Sequence, residues 1–313
     1  VCAVMAGGSG TRFWPMSRRA RPKQLLALLE PRTLLRATVD RVRPICSSDR
    51  TLIITAQRLA KATAADLPEI PAANVIAEPV PRNTAPCMAL AAIAAAQIHP
   101  DAILALLPAD HHVADPEAFT AALQVAAAQA DQGHLCTLGI VPTRPETGFG
   151  YIETGAETDG ALDVVRFVEK PDLATAASYL ASGRFLWNGG IFVCKASVAL
   201  QVIQRHQPQT HQALDNLSAG RCGRFGEASF VAELERRFAD CAAVSIDYGI
   251  AEHARSMRTV KLNAGWSDVG TWASLVTEGH ADGDNFERGD VLAIDSVGCA
   301  LVTDGPTIAT VGL

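Results

Sequence analysis

The chain has 313 residues, 49% of them hydrophobic, with a formal charge of −6 at neutral pH and an isoelectric point near 5.8. That length and apolar content suffice for one large α/β domain, or a domain with an appendage, and the acidic balance argues against nucleic acid as a partner. No signal peptide and no apolar run of membrane-spanning length is visible, the Ala-rich stretch 89–96 being short and followed by Gln97, His99 and Pro100, so a cytoplasmic protein without membrane partners is expected.

In chain order, strands are predicted at 1–6, 51–55, 73–77, 103–107 and 135–140, with helices between them at about 33–43, 57–66, 84–99 and 116–131. Thr33, Thr84 and Asp115 stand where helix N-caps belong. Non-alternating apolar strands separated by helices imply a mostly parallel sheet covered on both faces, a doubly wound layout. From about 148 the pattern changes to GFGYIE, VVRFVEKP, a helix near 172–182 and WNGGIFVCK. The region 196–240 reads as a helical, polar excursion on the substrate side. From 286 the chain turns to short alternating strands, which divides it into 1–285 and a β-rich extension 286–313. The chain opens on Val1 and stops within a β-like pattern, so a longer native protein is expected. Eight cysteines, mostly in apolar segments and without a CxxC pair, read as reduced core residues.

In open α/β sheets, ligands collect beyond the carboxyl ends of the strands. That rule selects GGSGTR (7–12) after the first strand, residues 78–84 after the third, and Asp110 after the fourth. Glycine turns admit anions to backbone N–H groups, although this one fits neither the P-loop nor the dinucleotide fingerprint. Arg12, closing the turn, and Lys23, eleven residues on, suit a triphosphate or are a pair of surface cations. Arg18 and Arg19 beside them read as solvated surface. Asp110 and Asp268 are each a magnesium ligand or a turn or cap carboxylate, and two such groups match the one or two carboxylates magnesium takes. Glu169 and Lys170 are either an exposed ion pair or a carboxylate and a cation for a sugar phosphate. Asn188 offers a donor and an acceptor, beside Gly189 and Gly190, which mark a turn or a surface for a sugar ring. Glu78 is an acceptor that matches the N1–H and exocyclic amine of guanine. His111 and His112 adjoin Asp110 but point opposite ways in an extended segment, so they are read as supporting residues. No Ser/His/Asp or Cys/His arrangement is legible.

With GGSGTRFWPMSR, PKQ, EPVPRNTAP, LLPADH, FVEKP, WNGGIF and GWSDVGTW present in this order, the chain resembles the sugar-nucleotide pyrophosphorylases. Within them it is most similar to the mannose-1-phosphate guanylyltransferase family, in the branch whose longer members carry a phosphomannose isomerase domain. The resemblance covers nearly the whole chain. It implies a Rossmann-like α/β fold, a doubly wound mixed sheet of the nucleotide-diphospho-sugar transferase (GT-A-like) type, with a short C-terminal β extension. It also implies GTP and mannose 1-phosphate as substrates, GDP-mannose and pyrophosphate as products, magnesium (Mg2+) as cofactor, and a homodimer.

By the same resemblance, Arg12 and Lys23 would be catalytic, and Ala6, Gly7, Gly8, Ser9, Gly10, Thr11, Glu78, Arg82, Asn83 and Thr84 would bind the nucleotide. Asp110 and Asp268 would hold the metal, and Gly150, Glu169, Lys170 and Asn188 the sugar phosphate. Phe13 and Met16 replace the family's usual leucines, WNGG replaces WNSG, and His253 stands where a lysine is usual. A nucleophile that is already an ionised phosphate monoester needs no general base, which accords with the absence of a triad. Two alternatives stand beside this reading: another nucleotide or hexose 1-phosphate, or a non-catalytic sugar-nucleotide sensor on the same fold.

Overall fold

Buried apolar runs and capped helices alternate through the first half of the chain. The computed structural model describes residues 1–8, 10–279 and 285–313, so the expected nucleotide contact Ser9 lies outside the described residues. Strands β1 (Cys2–Ala6), β2 (Thr51–Ala56), β3 (Val75–Glu78) and β4 (Ile103–Pro108) alternate with helices α1 (Leu34–Val42), α2 (Ala60–Asp66) and α3 (Thr84–Ile98). A two-residue strand β5 (His112–Val113) then leads into α4 (Pro116–Asp131) and β6 (Leu135–Ile140). Thr33 caps α1 by accepting from Arg36 N at 3.0 Å, and Asp115 caps α4 by accepting from Glu117 N and Ala118 N. Each answers backbone donors that a helix start leaves without partners. For α3 the cap is Asn83 rather than Thr84. Asn83 has a φ of 66°, a left-handed backbone that its short amide tolerates, and its Oδ1 accepts from Thr84 N. The Thr84 hydroxyl instead accepts from Ile246 N at 2.8 Å, tying the helix start to a distant loop.

The second half adds β7 (Gly150–Thr158), β8 (Ala161–Glu169), α5 (Leu173–Ser182), β9 (Phe185–Lys195), α6 (Ala196–His206), α7 (Pro208–Ser218) and α8 (Ala228–Arg237). A π-helical turn, Asp247–Ala251, precedes β10 (Met257–Leu262), β11 (Trp266–Ser267) and α9 (Trp272–Gly279). Nine strands form one sheet in the order β3-β2-β1-β4-β9-β6-β10-β8-β7. The four strands from β3 to β4 are parallel, as are β6 and β10. β9 runs antiparallel to β4 and β6, and β8 antiparallel to β10 and β7, so the sheet is mixed.

Helix α3 is apolar around its whole circumference and buried from Ala85 to Ala95. A helix without a polar face needs cover on both sides. The sheet supplies one side, and Ala199, Ile203, Leu214, Leu217, Phe230 and Leu234 of α6 to α8 join the same buried cluster on the other. Residues 196–240 are therefore a core layer and not the expected substrate-side excursion. On the opposite face α4 packs Phe119, Leu123 and Ala126 into a second cluster with Leu138, Trp187 and Val193.

The extension forms β12 (Phe286–Arg288), β13 (Val291–Ile294), β14 (Ala300–Val302) and β15 (Ile308–Val311). β12 pairs in parallel with β14, and β13 with β15. Parallel partners cannot be joined by a tight hairpin, so this segment coils back over itself. No helix among the described residues is long and apolar enough to cross a membrane. All eight cysteines are unpaired.

Candidate active site

The carboxyl ends of β1, β3 and β4 and the facing loops of the second half enclose a cavity of about 880 Å³. Gly7, Gly8, Gly10, Thr11 and Arg12 line it, as do Glu78, Arg82, Asn83 and Thr84. Asp110 and Asp268 line it together with Gly150, Glu169, Lys170 and Asn188. Ala6 and Lys23 do not line it. Ala6 is buried, and its carbonyl is occupied by Gln24 Nε2 at 2.7 Å and Thr55 Oγ1 at 3.2 Å.

Beside β1 and β3, the same Gln24 amide also donates to Gly8 O at 3.0 Å, so one buried side chain pins the glycine turn from beneath. Gly7 makes room for Glu78: a Cβ on Gly7 would lie 2.7 Å from Glu78 Oε2. Glu78 is 8% exposed, its Oε1 has no hydrogen-bond partner, and burial pushes its carboxyl up to about 7. An orphaned buried acceptor is costly unless a ligand supplies the donor. Arg82 donates to Ala239 O, which fixes it against the chain rather than leaving it free.

In the middle of the cavity, Asp110 and Asp268 come together although 158 positions separate them. Strand β5 pairs antiparallel with β11, matching His112 with Ser267 and Val113 with Trp266. Lys23 Nζ then bridges the two loops, donating to Asp110 Oδ2 at 2.9 Å and to Asp268 O. The Lys23 ammonium, expected to face phosphates, thus lies under the cavity floor, where burial among the core segments puts it. Packing completes the arrangement. Phe13, next to Arg12, and Val269, next to Asp268, are both fully buried in one cluster with Leu26, Leu34, Leu275 and Phe286. Each such side chain contributes ~2 kcal/mol when withdrawn from water, which holds Arg12 and Asp268 side by side, 4.0 Å apart.

Burial pushes the Asp110 carboxyl up, but the neighbouring positive charge, Lys23 foremost, outweighs it and Asp110 ends below its ordinary value. Asp268 ends above its ordinary value because burial, with Asp110 and Glu146 nearby, exceeds the pull of Lys23 and Arg12. Their side chains are 37% and 28% exposed. Two partly exposed carboxylates from different loops fit a hard divalent cation that fills its other positions with water and phosphate oxygens. Among the described residues no group of three or more metal-ligating side chains occurs.

Beside β7 and β8, a Cβ on Gly150 would lie 2.5 Å from Glu169 Oε2, and Glu169 Oε1 meets Lys170 Nζ at 2.9 Å. Asn188 is oriented at both ends. Its Nδ2 donates to Asp247 Oδ1 at 2.7 Å, while its Oδ1 accepts from Thr137 Oγ1 at 3.2 Å and Gly190 N at 3.1 Å. Asp247 lines the cavity, and burial raises its carboxyl despite the donors around it. Asn83, Lys170 and Val269 hold left-handed φ values of 66°, 48° and 44°. Such backbone costs ~1–3 kcal/mol per residue and is concentrated at ligand sites.

Asp247, Gln24, His111, Trp266 and Arg19 also belong to the site or its support. Arg19 lines the cavity, in contrast to its reading as plain surface. Asp247 is brought in by the π-helical turn, which leaves no periodicity to read; its only signal is an isolated acid in the apolar stretch 243–251. His253 does not line the cavity and stacks on His206 at 6.3 Å.

The sequence profile of the nucleotidyl transferase family matches residues 2–285. The chain belongs to the nucleotidyl transferase family. This nucleotidyl transferase is 43% identical over 294 residues to xanthan biosynthesis protein XanB of Xanthomonas campestris pv. campestris (strain B100), covering 93% of the chain and 62% of the relative. It is 38% identical over 328 residues to mannose-1-phosphate guanylyltransferase of Escherichia coli (strain K12), covering 99% and 66%. The chain spans 62–68% of the length of the curated relatives it matches. A crystal structure from Thermus thermophilus, described as a mannose-1-phosphate geranyltransferase, superposes with a TM-score of 0.88 at 37% identity. That match covers 99% of this nucleotidyl transferase and 89% of the solved chain. The Rossmann-like mixed α/β sheet expected from the motifs is the fold found.

Proposed function

We propose that the chain transfers GMP from GTP to α-D-mannose 1-phosphate, forming GDP-mannose and releasing pyrophosphate. The observation that carries this reading is the content of one cavity. It holds an unpartnered buried acceptor at Glu78, a pair of carboxylates at Asp110 and Asp268, and a pre-paired set at Glu169, Lys170, Asn188 and Asp247. The names of the Escherichia coli and Xanthomonas relatives support it.

An ionised Glu78 accepts from the N1–H and the exocyclic amine of guanine; adenine lacks that donor pair. The glycine turn brings backbone N–H groups to the nucleotide phosphates. Lys170 meets the sugar phosphate, while Glu169, Asn188 and Asp247 accept from or donate to sugar hydroxyls. Held this way, an oxygen of the sugar phosphate attacks the α-phosphorus of GTP in line. The bond from that phosphorus to the αβ-bridging oxygen breaks, and pyrophosphate departs with the electron pair. The attacking phosphate has a second pKa near ~6 and is already ionised at neutral pH, so no residue has to remove a proton. Arg12, 70% exposed at the mouth, neutralises charge on the leaving pyrophosphate. Lys23 keeps Asp110 ionised and in place. Magnesium bound by Asp110 and Asp268 would supply charge neutralisation at phosphate oxygens.

The test is product formation from GTP and mannose 1-phosphate with and without magnesium. Magnesium-dependent GDP-mannose is expected. No product, or equal turnover of the other three nucleoside triphosphates, overturns the assignment.

A further inference from the structure

The steps above leave the imidazole of His111 unused, as they do the side chains of Arg19 and Arg58. His111 lines the cavity beside Gly190, where a Cβ would lie 3.9 Å from the imidazole Cε1. His111 Nδ1 accepts a hydrogen bond from Trp266 Nε1 at 3.1 Å, and the two rings meet edge to face at 5.1 Å. An indole N–H can only donate. Nδ1 therefore carries no proton, since a protonated Nδ1 would set donor against donor, and the ring is the neutral tautomer with its proton on Nε2. Nε2 has no hydrogen-bond partner among the described residues.

The ring is braced from both sides. Trp266 packs on Phe149 at 5.5 Å, and Phe149 on Trp187 at 5.3 Å. From behind, the buried Arg41 donates to His111 O at 3.1 Å. The pairing of β5 with β11 sets Trp266 opposite Val113, from where its indole reaches back to His111.

We infer that His111 donates its Nε2–H to a non-bridging oxygen of the sugar 1-phosphate, and that Trp266 is a positioning residue that fixes the donating tautomer. The inference rests on the proposal that the cavity takes a sugar 1-phosphate. The chain places His111 near the two relevant groups: Asp110 precedes it in sequence, and Gly190, two residues from Asn188, lies beside its ring, where a Cβ would come within 3.9 Å. A neutral donor has a distinct use there. It orients the attacking phosphate without adding a positive charge that would hold electron density back from the new bond.

The test uses the full chain and three substitutions at one position. His111→Gln keeps an N–H donor near the reach of Nε2, His111→Asn sets its amide near Nδ1, and His111→Ala removes both. With Ala or Asn, kcat/KM for mannose 1-phosphate should fall about 10- to 100-fold while KM for GTP holds; Gln should recover most of the loss. Nitrogen NMR of labelled histidine should report Nε2–H at His111 in the wild type and a mixture of tautomers in Trp266→Phe, with a raised KM for mannose 1-phosphate. A proton on Nδ1 in the wild type overturns the assignment even if every variant fails to fold. Unchanged kcat/KM in His111→Asn overturns the contact alone. Wild-type protein inert toward mannose 1-phosphate overturns the functional reading, and the substrate contact with it, while the NMR result still decides the tautomer.

Discussion

Glu78 and Glu169 each sit against a glycine whose missing Cβ makes room for a carboxylate, on strands far apart in the sheet. Glu78 ends β3 at one edge, and Glu169 ends β8, next to the other edge. Gly7 and Gly150 leave the space, with Cβ positions 2.7 and 2.5 Å from the respective Oε2 atoms. The two differ in what they already hold. Glu169 is paired with Lys170 at 2.9 Å, whereas Glu78 Oε1 has no partner. An unsatisfied buried acceptor discriminates strongly, because a ligand lacking the donor leaves its cost in place. A pre-paired carboxylate instead positions what arrives. On the proposed function, the Glu78 region, as the nucleotide side, is thus built for selection, and the Glu169 region, as the sugar side, for orientation.

Asp110 belongs to neither side, so Asp110→Asn should sharpen the contrast by affecting both. Turnover is expected to fall about 100- to 1000-fold, with little change in the KM of either substrate and loss of the magnesium response, read in steady-state kinetics. Glu78→Gln should act on one side only. Its kcat/KM for GTP should drop about 10- to 200-fold, ATP turnover should stay as it was, and KM for mannose 1-phosphate should not move. Retained preference for GTP would break the comparison. Gly150→Ala forces Glu169 aside and should raise KM for mannose 1-phosphate about tenfold, while Gly7→Ala should do the same for GTP; crossed effects would contradict the division.

The smallest effect is one of pH. Burial lifts Glu78 from 4.5 to about 7, so the free protein holds it protonated below that point. Affinity for GTP should rise with pH up to about 7, by at most about tenfold per unit, and the profile should flatten in Glu78→Gln, as isothermal titration can measure. The sign for stability is opposite. The folded pKa exceeds the unfolded one, so the group's contribution is complete below 4.5 and is lost as pH rises through about 7.

Much of the site was legible because it follows strand ends. Glu78 closes β3, Glu169 closes β8, and Asp110 lies two residues beyond the end of β4; the rule that ligands gather there needs only the strands. Thr33 and Asp115 were equally legible as caps, since each bonds donors two or three residues away. Thr84 was misread because its partner, Ile246, is 162 residues distant. The burial of Lys23 and Ala6 away from the cavity lining was not legible for a related reason: sequence marks a cation and a turn, but not which side of the backbone faces inward. The role of 196–240 was hidden in α3, whose want of a polar face implied a second covering layer.

By itself the sequence determined the strand–helix alternation, the glycine turn and the acids at strand ends, because hydrophobic period, turn chemistry and capping act over a few residues. Tertiary structure alone decided the rest. It joined Asp110 to Asp268 through β5, β11 and Lys23, brought Asp247 to Asn188, and set Trp266 against His111. Those contacts depend on how whole layers pack around Phe13, Val269 and α3, and no spacing within the chain encodes a distance across the folded core.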